Sequence, residues 1–295
     1  MFGRLVTAMV TPFTEDLSVD FSGLSPLIEH LIDTGTTAIV VSGTTGESPT
    51  LSHEEKLQLF TECVTLCGGR IPVIAGTGGY NTQEVCAFTR EVDALGVDAF
   101  LQVAPYYNKP SQEGLYQHFA RVADVTSKPL LIYNIPGRTG VNVEVDTMVR
   151  LAQIPNVIGV KESSGDFTQI SRMIAETPDD FMLYSGDDKF TLPVLALGGV
   201  GVISVASHVA GDMMNNMIEA FLAHDTVTAR QWHHELMPLF EELFRTSNPV
   251  LVKAALNMLE ISVGGVRLPL VAPTPEQLRS LRKVLSRYAQ LEPLH

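Results

Sequence analysis

The sequence predicts an α/β fold: a (β/α)8 TIM barrel followed by a C-terminal helical appendage. Three observations predict it. Eight apolar runs recur with little internal alternation, helical patterns lie between them, and no strand-like run follows residue 211. Non-alternating Val/Ile/Leu runs bounded by Gly and Pro mark parallel strands buried on both faces. Eight units over roughly 220 residues give about 28 each, a normal size for a βα unit.

The runs cover residues 4–10, 37–41, 72–75, 98–103, 129–133, 157–160, 181–184 and 200–205. After the first, Leu24, Leu27, Ile28, Leu31 and Ile32 form one apolar helical stripe. Ser52 with Glu55, and Asn81 with Glu84, have capping-box spacing at the starts of the next two helices. Residues 190–211 contain no Asp, Glu, Lys or Arg, and their length alone would let them cross a membrane. Pro193, Gly198, Gly199 and Gly201 divide them instead into a helix ending at Gly198 and a strand from Val200 to Ser204. Helices are then expected over 212–223, 226–244, 249–259 and 274–290. The last is opened by Thr274, Pro275 and Gln277. The barrel therefore occupies residues 1–224 and the helical region 225–295. A doubly wound open sheet is the alternative, disfavoured by eight regular units and by the lack of a G-x-G-x-x-G turn.

Composition narrows the function. Twenty basic against 33 acidic residues give a net charge of −13, a field that repels phosphate and argues against a broad nucleic-acid-binding face. With 45% hydrophobic residues, disorder is excluded. Cys63, Cys67 and Cys86 form no C-x-x-C pair and read as small buried hydrophobes, which fits the cytoplasm. The apolar run from Leu5 to Val10 is too short for a signal peptide, and no membrane segment is expected. No histidine or cysteine spacing suits a metal.

Barrel chemistry sits at the C-terminal ends of strands. Those ends carry Ser42–Glu47, Pro105–Asn108, Tyr133–Gly140, Lys161–Asp166 and Ser185–Asp188. Lys161 directly follows Val157-Ile158-Gly159-Val160. Desolvation there would lower its pKa and leave neutral amine to attack a carbonyl. A plain ion pair with a carboxylate such as Glu162 is the competing reading. Lys109 and Lys189 fall in loops and Lys253 on a helix, where desolvation is less expected. Tyr133, Tyr107 and Thr44 supply hydroxyls for proton transfer, Arg138 a fork for a carboxylate, and Thr44-Thr45-Gly46 backbone N–H groups ahead of a helix.

Three motifs, Gly43-Thr44-Thr45-Gly46-Glu47, Tyr133-Asn134-Ile135-Pro136-Gly137-Arg138-Thr139-Gly140 and Lys161-Glu162, resemble the dihydrodipicolinate synthase family of pyruvate-dependent class I aldolases. The resemblance runs from Thr7-Ala8-Met9-Val10-Thr11-Pro12-Phe13 to the C-terminal helices. It implies a Schiff base between pyruvate and Lys161, and attack of the resulting enamine on L-aspartate 4-semialdehyde, in lysine and diaminopimelate biosynthesis. Tyr133 would donate and accept protons through Thr44 and through Tyr107 of a neighbouring subunit. Thr45 would bind the pyruvate carboxylate and Arg138 the semialdehyde carboxylate, with Gly186 and Ile203 lining the pocket. No metal or cofactor would be needed, and the assembly would be a tetramer, a dimer of tight dimers. Family members inhibited by lysine bind it at positions matching Ser48, Pro49, His53, Lys56, Tyr80, Glu84 and Tyr106. Pro49, Lys56 and Tyr80 depart from the lysine-sensitive pattern. The resemblance leaves two alternatives, an N-acetylneuraminate lyase or 2-keto-3-deoxy sugar acid aldolase, and a non-catalytic metabolite-sensing barrel.

Overall fold

A computed structural model of the chain describes residues 2–288. Its strands are β1 (Leu5–Ala8), β2 (Ala38–Val41), β3 (Val73–Gly76), β4 (Ala99–Val103), β5 (Leu130–Asn134), β6 (Val157–Glu162), β7 (Met182–Ser185) and β8 (Gly201–Ser204). They close in sequence order into one parallel barrel, β8 pairing back onto β1. Every expected apolar run holds one strand. Alternate residues serve two cores, which is why the runs do not alternate in polarity. Val6, Ala38, Val40, Ile74, Leu101 and Leu131 fill the barrel, while Leu5, Ile39, Val41 and Leu130 face the helices.

The helices are α1 (Leu24–Asp33), α2 (His53–Cys67), α3 (Thr82–Asp93), α4 (Gln112–Ala123), the single turn α5 (Pro136–Thr139), α6 (Val145–Leu151), α7 (Phe167–Glu176), α8 (Thr191–Leu197) and α9 (Ser207–Leu222). Then come α10 (Thr226–Leu243), α11 (Val250–Met258) and α12 (Pro275–Leu285). Ser52 and Thr274 each close a full capping box. Asn81 caps the Gln83 N–H, but Glu84 bonds to the Asn81 side-chain amide rather than its backbone, so that box is only half formed. The charge-free stretch 190–211 does break as expected: α8 stops at Gly198, whose φ of 107° suits glycine, and β8 follows. No helix among the described residues is long and apolar enough to cross a membrane. α9 begins at Ser207, earlier than expected, with a kink at Ala210. Residues 289–290 of the expected last helix lie outside the described residues.

One irregularity decides where the chemistry points. The β5–β6 register shifts between Leu130 and Leu131: Leu130 pairs with Val157 but Leu131 with Gly159, Tyr133 with Lys161. A one-residue slip exchanges the faces of a strand. It aligns Gly159 and Lys161 with Leu131 and Tyr133, which belong to the barrel interior. Gly159 has to be glycine there, since a Cβ would lie 2.3 Å from the Met182 carbonyl oxygen.

Candidate active site

Lys161 is buried, only 5% exposed. Its Nζ lies 4.4 Å from the centre of the Tyr133 ring. Burial brings its pKa down to about 8; Asp188 opposes that fall, Arg138 adds to it, and Asp187 opposes it. About a tenth of the amine is then neutral at pH 7. No carboxylate forms an ion pair with it among the described residues. Glu162, the competing partner, turns away to Asn134 Nδ2 (2.9 Å) and the Ser164 N–H (2.7 Å). Asp188 is buried, accepts the Val205 and Ala206 N–H groups, and has a pKa pushed up to about 6 by burial. Gly186 leaves room for the lysine stem: a Cβ would stand 3.0 Å from Lys161 Cγ and 1.9 Å from Ser163 Oγ. Its N–H is committed to the Glu162 carbonyl, so only its C=O is available to a ligand.

Burial pushes the Tyr133 phenol up to about 12, with Arg138, Ser163 and Thr44 opposing the rise. The phenol is therefore protonated at neutral pH, a donor first. Ser163 Oγ has no hydrogen bond of full geometry among the described residues. A cavity of about 270 Å³ opens at the barrel mouth, bringing Thr44, Tyr133 and Arg138 together with Ser48, Pro49, Lys56 and Tyr106. Lys161, Thr45 and Ile203 are buried and Tyr107 is 90% exposed, with φ of 71°. None of the four lines that cavity. Arg138 has no acidic partner among the described residues. A second cavity, of about 410 Å³, holds His53, Lys56 and Glu84, with Lys56 common to both. Tyr80 stacks edge-on against Tyr106 at 5.1 Å, and His53 pairs with Glu91 at 2.9 Å. Burial lowers the Lys56 pKa.

Two expectations need correction. The helix after Thr44-Thr45-Gly46 is a 3-10 turn, Ser48–Thr50, too short to give that loop a helix dipole; α2 starts only at His53. Lys253, whose place on a helix makes desolvation less expected, is 1% exposed and its pKa is also lowered to about 8 by burial, against the pull of Glu47. The helix that carries it packs inward. Its Nζ donates to Glu47 Oε1 (3.0 Å) and the Thr11 carbonyl (2.9 Å), and stands 3.9 Å from the Phe13 ring centre. Glu47 ends the Ser42–Glu47 loop in a left-handed conformation, φ 56°, and its other oxygen accepts the Arg267 N–H. Asn248 Nδ2 donates to Thr45 Oγ1 at 2.9 Å. Asn248, Arg267 and the buried pairing of Lys253 escaped the sequence reading. The available cue was a lone charge inside the apolar segment Val250-Leu251-Val252-Lys253-Ala254-Ala255-Leu256, since a buried charge needs a buried partner.

Among the described residues no group of three or more His, Cys, Asp or Glu side chains could hold a metal ion.

A model of the dihydrodipicolinate synthetase family matches residues 1–288. The chain is 51% identical over 286 residues to the 4-hydroxy-tetrahydrodipicolinate synthase of Desulforamulus reducens, covering 97% of each chain. It is similar to the crystal structure of a dihydrodipicolinate synthase from Bacillus anthracis, with a TM-score of 0.97, 48% identity, and 98% and 99% of the two chains covered. It is also similar to the enzyme of Cyanidioschyzon merolae solved with lysine bound, with a TM-score of 0.95, 44% identity, and 97% and 98% covered. Barrel, motifs and whole-length similarity agree: the chain belongs to the dihydrodipicolinate synthetase family.

Proposed function

We propose that this chain condenses pyruvate with L-aspartate 4-semialdehyde at the barrel mouth, with Lys161 as the Schiff-base lysine. The observation that carries the reading is a desolvated Lys161 amine packed against the Tyr133 ring inside the barrel. Neutral Nζ attacks C2 of pyruvate. Tyr133 protonates the departing hydroxyl, water leaves, and an imine remains. Loss of a methyl proton gives the enamine, whose C3 forms a carbon–carbon bond to the aldehyde carbon. The amine of the acceptor then attacks C2, closing the ring and releasing Lys161. Thr44 relays the phenol's proton. Thr45 holds the pyruvate carboxylate, while the C=O of Gly186 and the backbone at Ile203 face the bound keto acid.

Arg138 sits in the same cavity as Tyr133 without an acidic partner, which suits an acceptor bearing a carboxylate better than a neutral sugar. Arg138→Ala should raise KM for the semialdehyde about 10- to 100-fold while pyruvate KM stays within about threefold. Steady-state kinetics with each substrate varied checks it, and equal effects on both would contradict the role. An acceptor panel of the semialdehyde, N-acetylmannosamine and glyceraldehyde tests the activity itself. Pyruvate should disappear rapidly only with the first.

The exposed Tyr107, between Tyr106, which stacks on the exposed Tyr80, and Asn108, which bonds the Tyr80 carbonyl, supports a tight dimer in which Tyr107 enters the partner's site, and a tetramer of two such dimers. Hetero-oligomers reassembled from Tyr107→Phe and Lys161→Met chains should then be more active than either parent, since half their sites recover both groups. If Tyr107 works within its own chain, mixing adds nothing. Three unpaired thiols support a reducing compartment such as the cytoplasm.

Lys56 lines the cavity that also holds His53 and Glu84, adding a cation where lysine would have to bring two ammonium groups. Feedback should therefore be weak or absent. Half-inhibition at submillimolar lysine would overturn that expectation.

A further inference from the structure

The helical region reaches back into the barrel at the loop that carries Thr44 and Thr45. Thr45 is buried, and among the described residues the one hydrogen bond to its hydroxyl comes from a residue more than 200 positions later, Asn248, itself 7% exposed. The direction of that bond matters. The Asn248 amide N–H donates and Thr45 Oγ1 accepts. A threonine hydroxyl has one proton and two lone pairs. With a lone pair taken by an N–H2 group that accepts nothing, its proton must be given elsewhere. Thr45 is thus held as a donor, the polarity a carboxylate needs. An unsupported hydroxyl would rotate and offer its lone pairs as readily.

The second observation is a cost. Asn248 Oδ1 is buried and accepts no hydrogen bond among the described residues. A buried acceptor left unpaired is unfavourable, and such groups are retained where another task requires the residue. Turned over, the amide would pair Oδ1 with Thr45 and consume the hydroxyl proton; with Nδ2 on Thr45 that proton stays available. Asn248 is fixed relative to the loop by its neighbour on α11: Lys253 bonds Glu47 and the Thr11 carbonyl, and Thr11 Oγ1 bonds the Gly46 carbonyl.

We infer that Asn248 is a positioning residue for pyruvate, acting through Thr45, so that the chain at the start of α11 completes the barrel's site rather than merely capping it. The inference rests on the reading of Thr45 as the ligand of the pyruvate carboxylate. A double-mutant cycle of Asn248→Ala and Thr45→Val, read as KM for pyruvate and for the semialdehyde, tests both separately. Thr45→Val should raise pyruvate KM roughly 10- to 100-fold and Asn248→Ala about 10-fold, each leaving the semialdehyde KM within about threefold. In the Thr45→Val background, Asn248→Ala should then change pyruvate KM by less than about twofold. Independent, multiplying effects would overturn the inference and leave Thr45 as a ligand. No change in pyruvate KM from Thr45→Val would overturn the assignment of Thr45, and the inference with it. If Asn248→Ala does not fold, Asn248→Ser enters the same cycle, and the coupling with Thr45→Val is read from it.

Discussion

Lys161→Met is expected to lower kcat/KM by about 10⁴-fold or more and, at the same time, to make the protein more stable. The first effect follows from removing the nucleophile. The second follows from its pKa. Folding lowers it from 10.5 to about 8, so between those values the unfolded chain binds the proton and the folded chain does not. Stability contributed by this group accordingly rises with pH from about 8 to 10.5, and is lowest below 8, where a buried ammonium without an ion-pair partner is carried in full. That shift corresponds to about 3 kcal/mol at pH 7. A neutral methionine of similar size removes the cost. Urea unfolding at fixed protein concentration should show the variant more stable at pH 7, with the gap narrowing towards pH 10. A destabilised, inactive variant would mean that Lys161 is a structural residue.

Lys253→Met should have the opposite sign. This lysine is just as buried but is paired, and its loss removes the cation facing Glu47 and leaves Glu47 Oε1 and the Thr11 carbonyl without this donor, the Arg267 N–H remaining on Oε2. Breaking a buried pair from one side costs about 3–5 kcal/mol. Chemical denaturation should register that loss. The double variant Lys253→Met/Glu47→Gln should recover part of it, because the uncompensated charge is gone. Two lysines with pKa values lowered alike thus separate by their partners: one is left reactive, the other is tied down.

The barrel was legible because each of its strands is buried on both faces, so eight apolar runs each became a strand. Lys161 was legible as a lysine closing such a run. The register shift at Leu130/Leu131 that sets its direction was not, because it leaves no mark in hydrophobic periodicity. Tyr133, Thr44 and Arg138 were found as strand-end residues, and they do share one cavity. Asn248, and the buried pairing of Lys253, were missed for one reason. Each meets its partner across more than 200 residues, and a polar residue beside a helix reads as solvated unless the helix is known to face inward. The capping boxes at Ser52 and Thr274 depend on four adjacent residues and could be read directly. The half-formed box at Asn81 shows the limit: spacing permits the reciprocal bond, while side-chain geometry selects another.

The central claim is that Lys161, and not the equally desolvated Lys253, forms the imine. Pyruvate with borohydride, followed by proteolysis and mass mapping of the reduced adduct, tests it most directly. The adduct should sit on the peptide containing Lys161, vanish in Lys161→Met, and abolish turnover in proportion to labelling. An adduct on Lys253, or none under conditions where the enzyme turns over, would contradict the account.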